Sequence, residues 1–551
     1  MNIPAPSLAL ATVLLGIAAP ISTAAENLVA NPSAEQVSIE GRPEGWGLYV
    51  GAGQMKLAST VEETHSGQRA ACLELIDWHT PKDSPDAAAQ RSVSGAMILA
   101  PNNGYGAQGA IECMPGTRYA FSFWYKGDVA SASVSVTGWP SPDADHTQRV
   151  HHAVTGGSLR PSPRWQRCTG SFRIQEGVTR LALLIQVSGK QRDGFTLGKL
   201  YVDDAQIMPK CFPDGELRAV WCGLPKAKER EAGLREIGET VGKVKGAGLN
   251  TLLIWTESVY IAALDRAEFQ QAEPRAAWDA LGETIQAAKQ HGLQVHVWYS
   301  PWVYKTVSRA VELKEHPDWA AVSAQRVVDK EGICFVRPEV RQFELDLLGK
   351  LLDRYPDLAG IHIEEPGFNW GADYCYCDHC QQLCRQWFGV DIRQDLAATK
   401  SVVHNLAAFM CSDFFARLRQ LTLDKRPELW LSANGSGGDN PDWYIGRDWT
   451  TWAQRGYVDF YVPQLYTKSV DAFTQQGLRT KSRLGACDLV TGMAVSWSGI
   501  YPERQTGDVI KAEIGAARVL GAKGFVIFHL DHLYDEHWRA LKEATSATAR
   551  P

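Results

Sequence analysis

Two adjacent carboxylates, Glu364 and Glu365, directly follow the short apolar run of residues 360–363. An acid at the point where a buried strand ends is well placed for proton transfer, because the strand fixes its position. Neighbouring carboxylates also repel one another, which raises one pKa toward the range that suits a general acid. Side chains alternate along a strand, so Glu364 is expected to share the inward face with His362 and Glu365 to lie at the rim. Both are candidate proton donors.

Three cysteines, Cys375, Cys377 and Cys380, follow the acid pair with a crowded spacing. Cys375 and Cys377 are too close in sequence to form a comfortable disulfide with each other. Thiolates at such spacing are typical of a structural zinc site, which needs four ligands. Cys384 is one candidate for the fourth, because it lies one helical turn after Cys380. Disulfide bonds are the alternative for these thiols.

The second half of the chain alternates short apolar segments with helical patterns. Eight segments have the length and composition of buried strands, at residues 217–222, 251–255, 295–298, 360–363, 429–432, 458–463, 489–495 and 524–529. Helical periodicity lies between them, most clearly at residues 235–245, 278–290, 338–354, 406–423 and 508–520. A strand followed by a helix, repeated about eight times, predicts an α/β fold, a (β/α)8 TIM barrel over residues 216–546.

The carboxyl ends of barrel strands meet at one face, which is where active sites of such barrels form. The predicted strand ends carry acids, amides, histidines and aromatic residues: Trp221, Trp255, Glu257, Trp298, Tyr299, Trp302, Glu364, Glu365, Asn434, Gln464, Tyr466, Trp497, His529, Asp531 and His532. Aromatic rings can stack on sugar faces, amides can bond sugar hydroxyls, and paired carboxylates can cleave glycosidic bonds. The combination predicts a carbohydrate site. Glu257 and Asp531 are candidates by position for the second catalytic carboxylate.

The first half of the chain has a different pattern. Residues 26–210 contain short alternating segments separated by Gly, Pro, Ser and Asp, most clearly at 119–125, 132–137, 181–187 and 199–207. This spacing predicts an all-β sandwich. Residues 1–25 have the apolar stretch and small residues of an export signal, with cleavage expected after Ala24 or Ala25. A periplasmic or secreted protein is therefore expected.

Composition narrows the possible partners. The formal net charge is -6 over 551 residues and basic runs are absent, so neither nucleic acid nor an anionic membrane is expected as a partner. After the signal, the sequence contains no apolar stretch of the roughly 18 residues that a membrane span needs. Nineteen Trp and seventeen Tyr suit either carbohydrate binding or two aromatic cores. No organic cofactor is expected, and the oligomeric state is not predicted.

Several segments of the second half together resemble the glycoside-hydrolase-like barrels known as glycosyl-hydrolase-like family 10. The matching pieces, in the order of that group, are residues 216–221, 316–319, 337–341, 357–364, 448–449, 458–466 and 521–528. In that group an acidic residue ends the fourth strand, and Glu364 occupies this position. The resemblance implies a glycoside hydrolase barrel.

The cysteine loop resembles that of glycoside hydrolase family 42 β-galactosidases, in which a Cys-x-Cys-x-x-Cys loop follows an acid-bearing fourth strand. That resemblance implies a closed structural zinc site in which Cys334 joins Cys375, Cys377 and Cys380. It does not extend to the nucleophile, which family 42 takes from the seventh strand end. Residues 493–497 carry no carboxylate there.

The first half resembles the jelly-roll carbohydrate-binding modules attached to many secreted glycosidases. The residues that carry the likeness are 27–35, 45–46, 116–119 and 201–204. In those modules a structural calcium often joins the first and last strands, and Glu35 and Asp204 match the ligand positions. Solvated turn carboxylates are the alternative for these two acids.

The leading hypothesis from the sequence is an exported glycoside hydrolase that cleaves O-glycosidic bonds in a polysaccharide or glycan. Glu365 or Glu364 would be the proton donor, with Asp531 or Glu257 as the second carboxylate. The alternative is a non-catalytic carbohydrate-binding protein whose barrel has lost its chemistry. The absence of an acid at the seventh strand end favours that alternative.

Overall fold

The computed structural model describes residues 27–81, 90–129, 131–302, 312–368, 373–439, 441–467, 469–496 and 503–546. The predicted export signal and Trp497 lie outside the described residues. Among the residues that are described, no helix combines the length and the apolar composition that crossing a membrane requires.

Antiparallel strands form two sheets in the first half of the chain. They are β1 (Gly47–Ala52), β2 (Gln54–Thr60), β3 (Ala70–Asp77), β4 (Ser92–Ile98), β5 (Ile111–Glu112), β6 (Arg118–Gly127), β7 (Ala132–Trp139), β8 (Val150–His152), β9 (Val154–Gly156), β10 (Ser158–Leu159), β11 (Ser162–Arg173), β12 (Arg180–Lys190) and β13 (Lys199–Lys210). One sheet has the order β1-β4-β12-β7-β10, with β5 on β12 and β8 on β7, and the other has the order β2-β3-β13-β6-β11-β9.

The two sheets share one apolar core, as the alternating sequence pattern predicts. Leu183 and Val136 of the first sheet and Phe121 and Val202 of the second belong to the same buried cluster. The four clearest predicted strands correspond to β6, β7, β12 and β13. The described residues therefore form a sandwich of antiparallel sheets, and a jelly-roll topology stays a prediction.

Parallel strands build the second half around a nearly closed barrel. They are β14 (Leu217–Cys222), β15 (Thr251–Thr256), β16 (Gln294–Tyr299), β19 (Gly360–Ile363), β20 (Trp430–Gly435), β21 (Phe460–Pro463), β22 (Asp488–Leu489), β23 (Thr491–Ala494) and β24 (Gly524–Phe528). A small antiparallel pair, β17 (Ala320–Val322) and β18 (Val328–Ile333), is inserted before β19.

The predicted seventh strand is split, which is the main departure from the expected pattern. Its first piece, β22, pairs with β21, and its second piece, β23, pairs with β24, so the order is β22-β21-β20-β19-β16-β15-β14-β24-β23. Gln464, directly after β21, forms a bridge with Gly492 of β23, which brings the two ends of the sheet together. Gly248 and Gly521, which lie between a helix and the next strand, have φ of 73° and 68°, a backbone conformation that glycine adopts readily.

Helices surround the barrel. They are α1 (Arg230–Gly246), α2 (Ser258–Asp265), α3 (Ala280–Gln290), α4 (Pro338–Arg354), α5 (Asp378–Phe388), α6 (Leu396–Lys425), α7 (Trp449–Gln454), α8 (Val470–Arg483), α9 (Gly507–Val519) and α10 (Asp535–Ser546). Short 3-10 helices occupy His146–Gln148, Gln191–Asp193, Pro213–Gly215, Ala267–Phe269, Pro274–Trp278, Pro317–Trp319, Trp443–Ile445 and Leu530–His532. The helix predicted at 406–423 is longer than expected, because α6 begins at Leu396.

The sandwich contacts the barrel through a buried carboxylate, Asp459, which lies just before β21. Lys210, the last residue of β13, places Nζ 2.7 Å from Asp459 Oδ2, and neither side chain is exposed. Arg419 donates to both carboxylate oxygens at 2.9 and 3.1 Å, and Arg118 of β6 lies 3.8 Å from Oδ1. Burial alone would raise the pKa of Asp459, but Arg419, Lys210 and Arg118 together hold it well below its usual range.

Replacing Asp459 with Asn is expected to lower the free energy of unfolding by about 3–5 kcal/mol, because three cations would lose their buried counter-charge. Urea unfolding of Asp459→Asn beside the unmutated protein measures the loss. Glu543→Gln is the matched control, since Glu543 pairs with Lys511 on an exposed surface and should change little. If both variants unfold at the same urea concentration, the buried cluster does not hold the two halves together.

Candidate active site

Glu364 lies at the carboxyl end of β19 and is held by donors from both neighbouring strands. Trp298 of β16 donates Nε1–H to Glu364 Oε2, and Asn434 of β20 donates Nδ2–H to the same oxygen at 2.6 Å. In the sheet β19 lies between β16 and β20, which brings these side chains together. Glu364 is 4% exposed. Because both donors occupy Oε2, a proton on Glu364 would be carried by Oε1.

The surroundings of Glu364 favour its protonated form at neutral pH. Burial raises the pKa of Glu364 to about 8, and the neighbouring charge of Glu365 adds to the shift. The hydrogen bonds from Trp298 and Asn434 act in the opposite direction, since they stabilise the carboxylate. A carboxylic acid that keeps its proton at neutral pH is suited to general acid catalysis.

Glu365 is fixed by a different set of contacts. Its Oε2 forms an ion pair with Arg447 at 3.1 Å, and the Arg447 side chain is 1% exposed. The backbone N–H of Glu365 donates to Asn434 Oδ1 at 2.8 Å. Glu365 has a φ of 32°, where the chain turns away from the strand toward Pro366. Asn434 therefore contacts both acids: its amide nitrogen bonds the Glu364 carboxyl, and its amide oxygen bonds the Glu365 backbone.

Glu257 and Asp531, the two candidates for the second carboxylate, have different surroundings. Glu257 follows β15 and accepts a hydrogen bond from Trp255 Nε1 at 3.2 Å. The Trp255 ring lies 4.7 Å from the ring of Trp298, which in turn bonds Glu364. Two indole rings thus link Glu257 to Glu364 along one side of the site.

Asp531 lies farther round the barrel mouth, in the 3-10 helix after β24. It forms an ion pair with Lys226 at 2.9 Å, and its side chain is about half exposed. His529 accepts a hydrogen bond from the Asp531 backbone at 3.3 Å. The Asp531 carboxylate pairs with Lys226, whereas the Glu257 carboxylate bonds Trp255, whose ring packs on the tryptophan that holds Glu364. On these contacts Glu257 is the better placed of the two among the described residues.

Three of the aromatic residues predicted to bind sugar are core residues instead. Trp221 and Tyr299 are fully buried, and Trp302 is 2% exposed. Trp221 lies inside the barrel 6.0 Å from Trp298, Tyr299 donates its hydroxyl to Glu344, and Trp302 stacks on Phe335 at 4.8 Å. A buried ring has no face free for a sugar, so these residues pack the barrel and its surrounding helices.

Other predicted binding residues are less deeply buried. Trp255 and Gln464 are half-buried, and Tyr466 is 9% exposed beside Phe528 at 5.9 Å. The ring of His529 lies 6.2 Å from the ring of Trp298. Burial lowers the pKa of His529 to about 4, so its imidazole is neutral at neutral pH. It can then act as either donor or acceptor toward a hydroxyl group.

Four cysteines form a buried cluster beside the acid loop and could hold a metal ion. The sulfurs of Cys334, Cys375, Cys377 and Cys380 all lie within 4.8 Å of one another. The Cys334 sulfur is 3.6 Å from that of Cys380 and 3.8 Å from that of Cys377. Sulfurs around tetrahedral zinc lie about 3.8 Å apart when each Zn–S bond is about 2.3 Å, so the spacing fits. Cys384 is not in the group.

Secondary structure positions these thiols. Cys334 directly follows β18, Cys377 precedes α5, and Cys380 lies in the first turn of that helix. Hydrogen bonds from Cys334, Cys375 and Cys380 lower the pKa of the Cys377 thiol, which favours a thiolate among the four. Disulfides are absent among the described cysteines.

The predicted calcium ligands in the sandwich are bonded to protein groups. Glu35 Oε1 accepts from the backbone N–H of Gln68 at 2.7 Å and that of Arg69 at 3.1 Å. Asp204 accepts from the hydroxyls of Ser33 and Ser66 at 2.7 and 2.6 Å. Among the described residues the only His, Cys, Asp or Glu group with metal-binding spacing is the cysteine cluster. The arrangement gives the calcium prediction no support.

Arg447 is the residue of the site that sequence reasoning missed. It lies in the connection between β20 and α7, away from any strand end, so a prediction based on strand ends does not include it. Its Nε donates to the Pro366 carbonyl at 3.1 Å, which ties this connection to the acid loop. The only signal nearby is the pair Asp448 and Trp449, which carries part of the family resemblance.

A nearly closed parallel barrel with an acid pair at the end of its fourth strand is the arrangement expected of a glycoside-hydrolase-like barrel. The family described as Glycosyl hydrolase-like 10 matches residues 216–487, which confirms the resemblance seen in the sequence. A search of curated protein sequences found no match.

Solved structures similar to this chain include several glycoside hydrolases. The GH42 β-galactosidase Gan42B from G. stearothermophilus is 15% identical, with 60% of this chain and 56% of that chain covered and a TM-score of 0.44. A β-galactosidase from Marinomonas ef1 is 13% identical, with 60% and 58% covered and a TM-score of 0.45. The CBM22 and GH10 modules of a Clostridium thermocellum xylanase are 12% identical, with 94% and 97% covered and a TM-score of 0.34. The chain thus spans less than two thirds of either β-galactosidase.

Proposed function

We propose that this protein is an exported glycoside hydrolase that cleaves O-glycosidic bonds in a polysaccharide or glycan. The observation that carries the proposal is the buried carboxyl of Glu364, whose pKa is raised to about 8 at the end of the fourth barrel strand. Its neighbour Glu365 is paired with Arg447, so the two adjacent acids have different environments. Such a division of environments is typical of carboxylates with separate roles in one site.

In the proposed reaction Glu364 donates its proton to the leaving glycosidic oxygen as the bond from the anomeric carbon to that oxygen breaks. Glu257 supplies the second carboxylate, either by attacking the anomeric carbon or by taking a proton from the water that does so. If Glu257 attacks, water then displaces it from the anomeric carbon and gives a proton to the deprotonated Glu364. In both cases the hydroxyl of water ends on the anomeric carbon. Trp298 and Asn434 orient Glu364, and Arg447 and Asn434 orient the segment that carries Glu365.

The alternative function is binding of carbohydrate without cleavage. It is favoured by the lack of a carboxylate between Met493 and Ser496 at the seventh strand end. Release of reducing sugar from cellulose, xylan, galactan and peptidoglycan, and of nitrophenol from a panel of aryl glycosides, separates the two. Turnover supports the hydrolase, whereas retention of a polysaccharide on a column of the protein without turnover supports the binding protein.

The pH dependence of kcat/KM is expected to report Glu364. As the proton donor must be protonated, kcat/KM should fall as the pH rises above about 8, the pKa of Glu364. Below that pH the acid keeps its proton, so any loss at lower pH must come from another group. Glu364→Gln should remove the alkaline limb. An alkaline limb that persists unchanged in Glu364→Gln would assign it to a different residue.

The four-cysteine cluster is proposed to bind a structural zinc ion. Four thiolates leave no position for water or substrate, so the ion would brace the loop beyond β19 rather than take part in the reaction.

The sandwich is proposed to be a jelly-roll carbohydrate-binding module. Export is proposed from residues 1–25.

A further inference from the structure

Two adjacent aromatic side chains, Trp443 and Tyr444, lie in a short turn that is bonded directly to the acid loop. The turn is the 3-10 helix Trp443–Ile445 in the connection after β20. The Ile445 carbonyl accepts a hydrogen bond from the Phe368 backbone N–H at 2.7 Å. Two residues later Arg447 binds Glu365. The turn is thus held against the segment that begins with the two acids.

Both rings are partly open to solvent and are supported from one side. Trp443 and Tyr444 are each 38% exposed. The ring of His404 lies 5.7 Å from Trp443 and 6.1 Å from Tyr444, and it meets both at a steep angle. His404 is held in turn by Asp373 at 3.3 Å. A supported pair of rings with exposed surface can receive a flat apolar face without rearranging.

Polar groups lie beside these rings. Asp373 also pairs with Lys400, whose Nζ is 2.9 Å from Oδ2. Asp442 precedes Trp443, and its Oδ2 is buried with no hydrogen-bond partner among the described residues. Burial raises the pKa of Asp442, while the Ser436 side chain and Arg447 act in the opposite direction. Rings flanked by carboxylates and an amine suit a ligand with an apolar face and a hydroxylated edge.

We infer that Trp443 and Tyr444 form a sugar-binding subsite that holds a glycosyl unit of the substrate away from the bond that is cleaved. The inference rests on the proposed function and deepens it, since it places one unit of the polymeric substrate beside the acid loop. Sugar rings present C–H faces that pack on aromatic rings, and their hydroxyls can bond Asp373 or Lys400, whose side chains are partly exposed. The attachment of the turn to the acid loop distinguishes it from other exposed aromatic residues.

Trp387 offers the matched control. It is 47% exposed on α5, near Phe388 and Phe409 on the outer surface of the helices, and the described contacts do not join it to the acid loop. Trp387→Ala therefore removes an exposed indole of the same kind. Trp443→Ala and Tyr444→Ala remove the rings of the inferred subsite.

The test uses cellulose-, xylan- and galactan-derived oligosaccharides, each from disaccharide to hexasaccharide. Cleavage is measured as kcat/KM, and binding is measured by calorimetry with Glu364→Gln as the background. Tryptophan and tyrosine are enriched among contact residues whose loss is costly, so kcat/KM for the longest fragment should fall about tenfold in Trp443→Ala, which corresponds to about 1.4 kcal/mol. The loss should grow with chain length, and Trp387→Ala should match the unmutated protein.

The outcomes separate this inference from the proposed function. If fragments are cleaved but Trp443→Ala and Tyr444→Ala behave like Trp387→Ala, or lose the same factor at every chain length, the subsite is refuted and the hydrolase stands. If fragments bind without cleavage and the Trp443→Ala loss grows with length, the subsite stands and the hydrolase fails. Absence of both binding and cleavage for all three series would overturn both.

Discussion

Replacing Glu364 by Gln is expected to lower kcat/KM for oligosaccharides by about 10²- to 10⁴-fold, the usual contribution of a general acid. The substitution is nearly isosteric, and its amide oxygen can still accept from Trp298 or Asn434. The main change is therefore the loss of an ionisable proton at the end of β19. Initial rates of reducing-sugar release over a range of substrate concentrations give the value.

The control for this loss is Glu231→Gln, which changes an exposed carboxylate in the first turn of α1. It should leave the rate unchanged. Thermal unfolding of both variants checks that the fold is retained. A Glu364→Gln protein that folds normally and cleaves oligosaccharides as fast as the unmutated protein would remove Glu364 from the reaction.

The second large effect is expected from the cysteine cluster. Cys377→Ser should abolish stoichiometric zinc in the purified protein and lower its thermal stability, because the loop beyond β19 would lose its brace. Cys377 contacts Cys334 at 3.8 Å and lies directly before α5, so the change affects both segments that the ion would join. Elemental analysis and thermal unfolding measure the two effects.

Cys384→Ala is the matched control, because Cys384 is buried on the same helix but lies outside the four-sulfur group. It should keep about one zinc ion per chain. If the unmutated protein carries no zinc and its four thiols are oxidised, the zinc proposal is wrong. If Cys384→Ala loses zinc and Cys377→Ser retains it, Cys384 rather than Cys377 is the zinc ligand.

The barrel strands could be predicted because each is a short apolar run that ends at an obvious boundary. Residues 217–222 match β14 and residues 360–363 match β19. The split of the seventh strand into β22 and β23 could not be predicted. It depends on which neighbour each piece pairs with, and the composition of residues 489–495 carries no signal of that pairing.

The acids could be located from the sequence, but their separate environments could not. The position of Glu364 at a strand end is a local property of the chain. Its raised pKa depends on burial and on donors from β16 and β20, and the ion pair of Glu365 depends on Arg447, which lies in a connection without a recognisable pattern. Long-range contacts of this kind appear only when the strands are assembled.

The sequence also does not determine which aromatic side chains are exposed at the site. A tryptophan at a strand end can point into the barrel, outward to a helix or toward the opening, and its type does not decide between them. Trp221 and Trp302 are buried, whereas Trp443, which was not among the predicted site residues, is 38% exposed beside the acid loop.

The most direct test of the central claim is the dependence of the Glu364→Gln rate on the leaving group. A dinitrophenyl group departs readily as an anion and needs no proton, whereas a sugar hydroxyl needs one. We expect Glu364→Gln to cleave a dinitrophenyl glycoside at nearly the rate of the unmutated protein and to lose about 10²-fold or more on an oligosaccharide of the same sugar. Equal losses on both substrates would contradict the assignment of Glu364 as the proton donor.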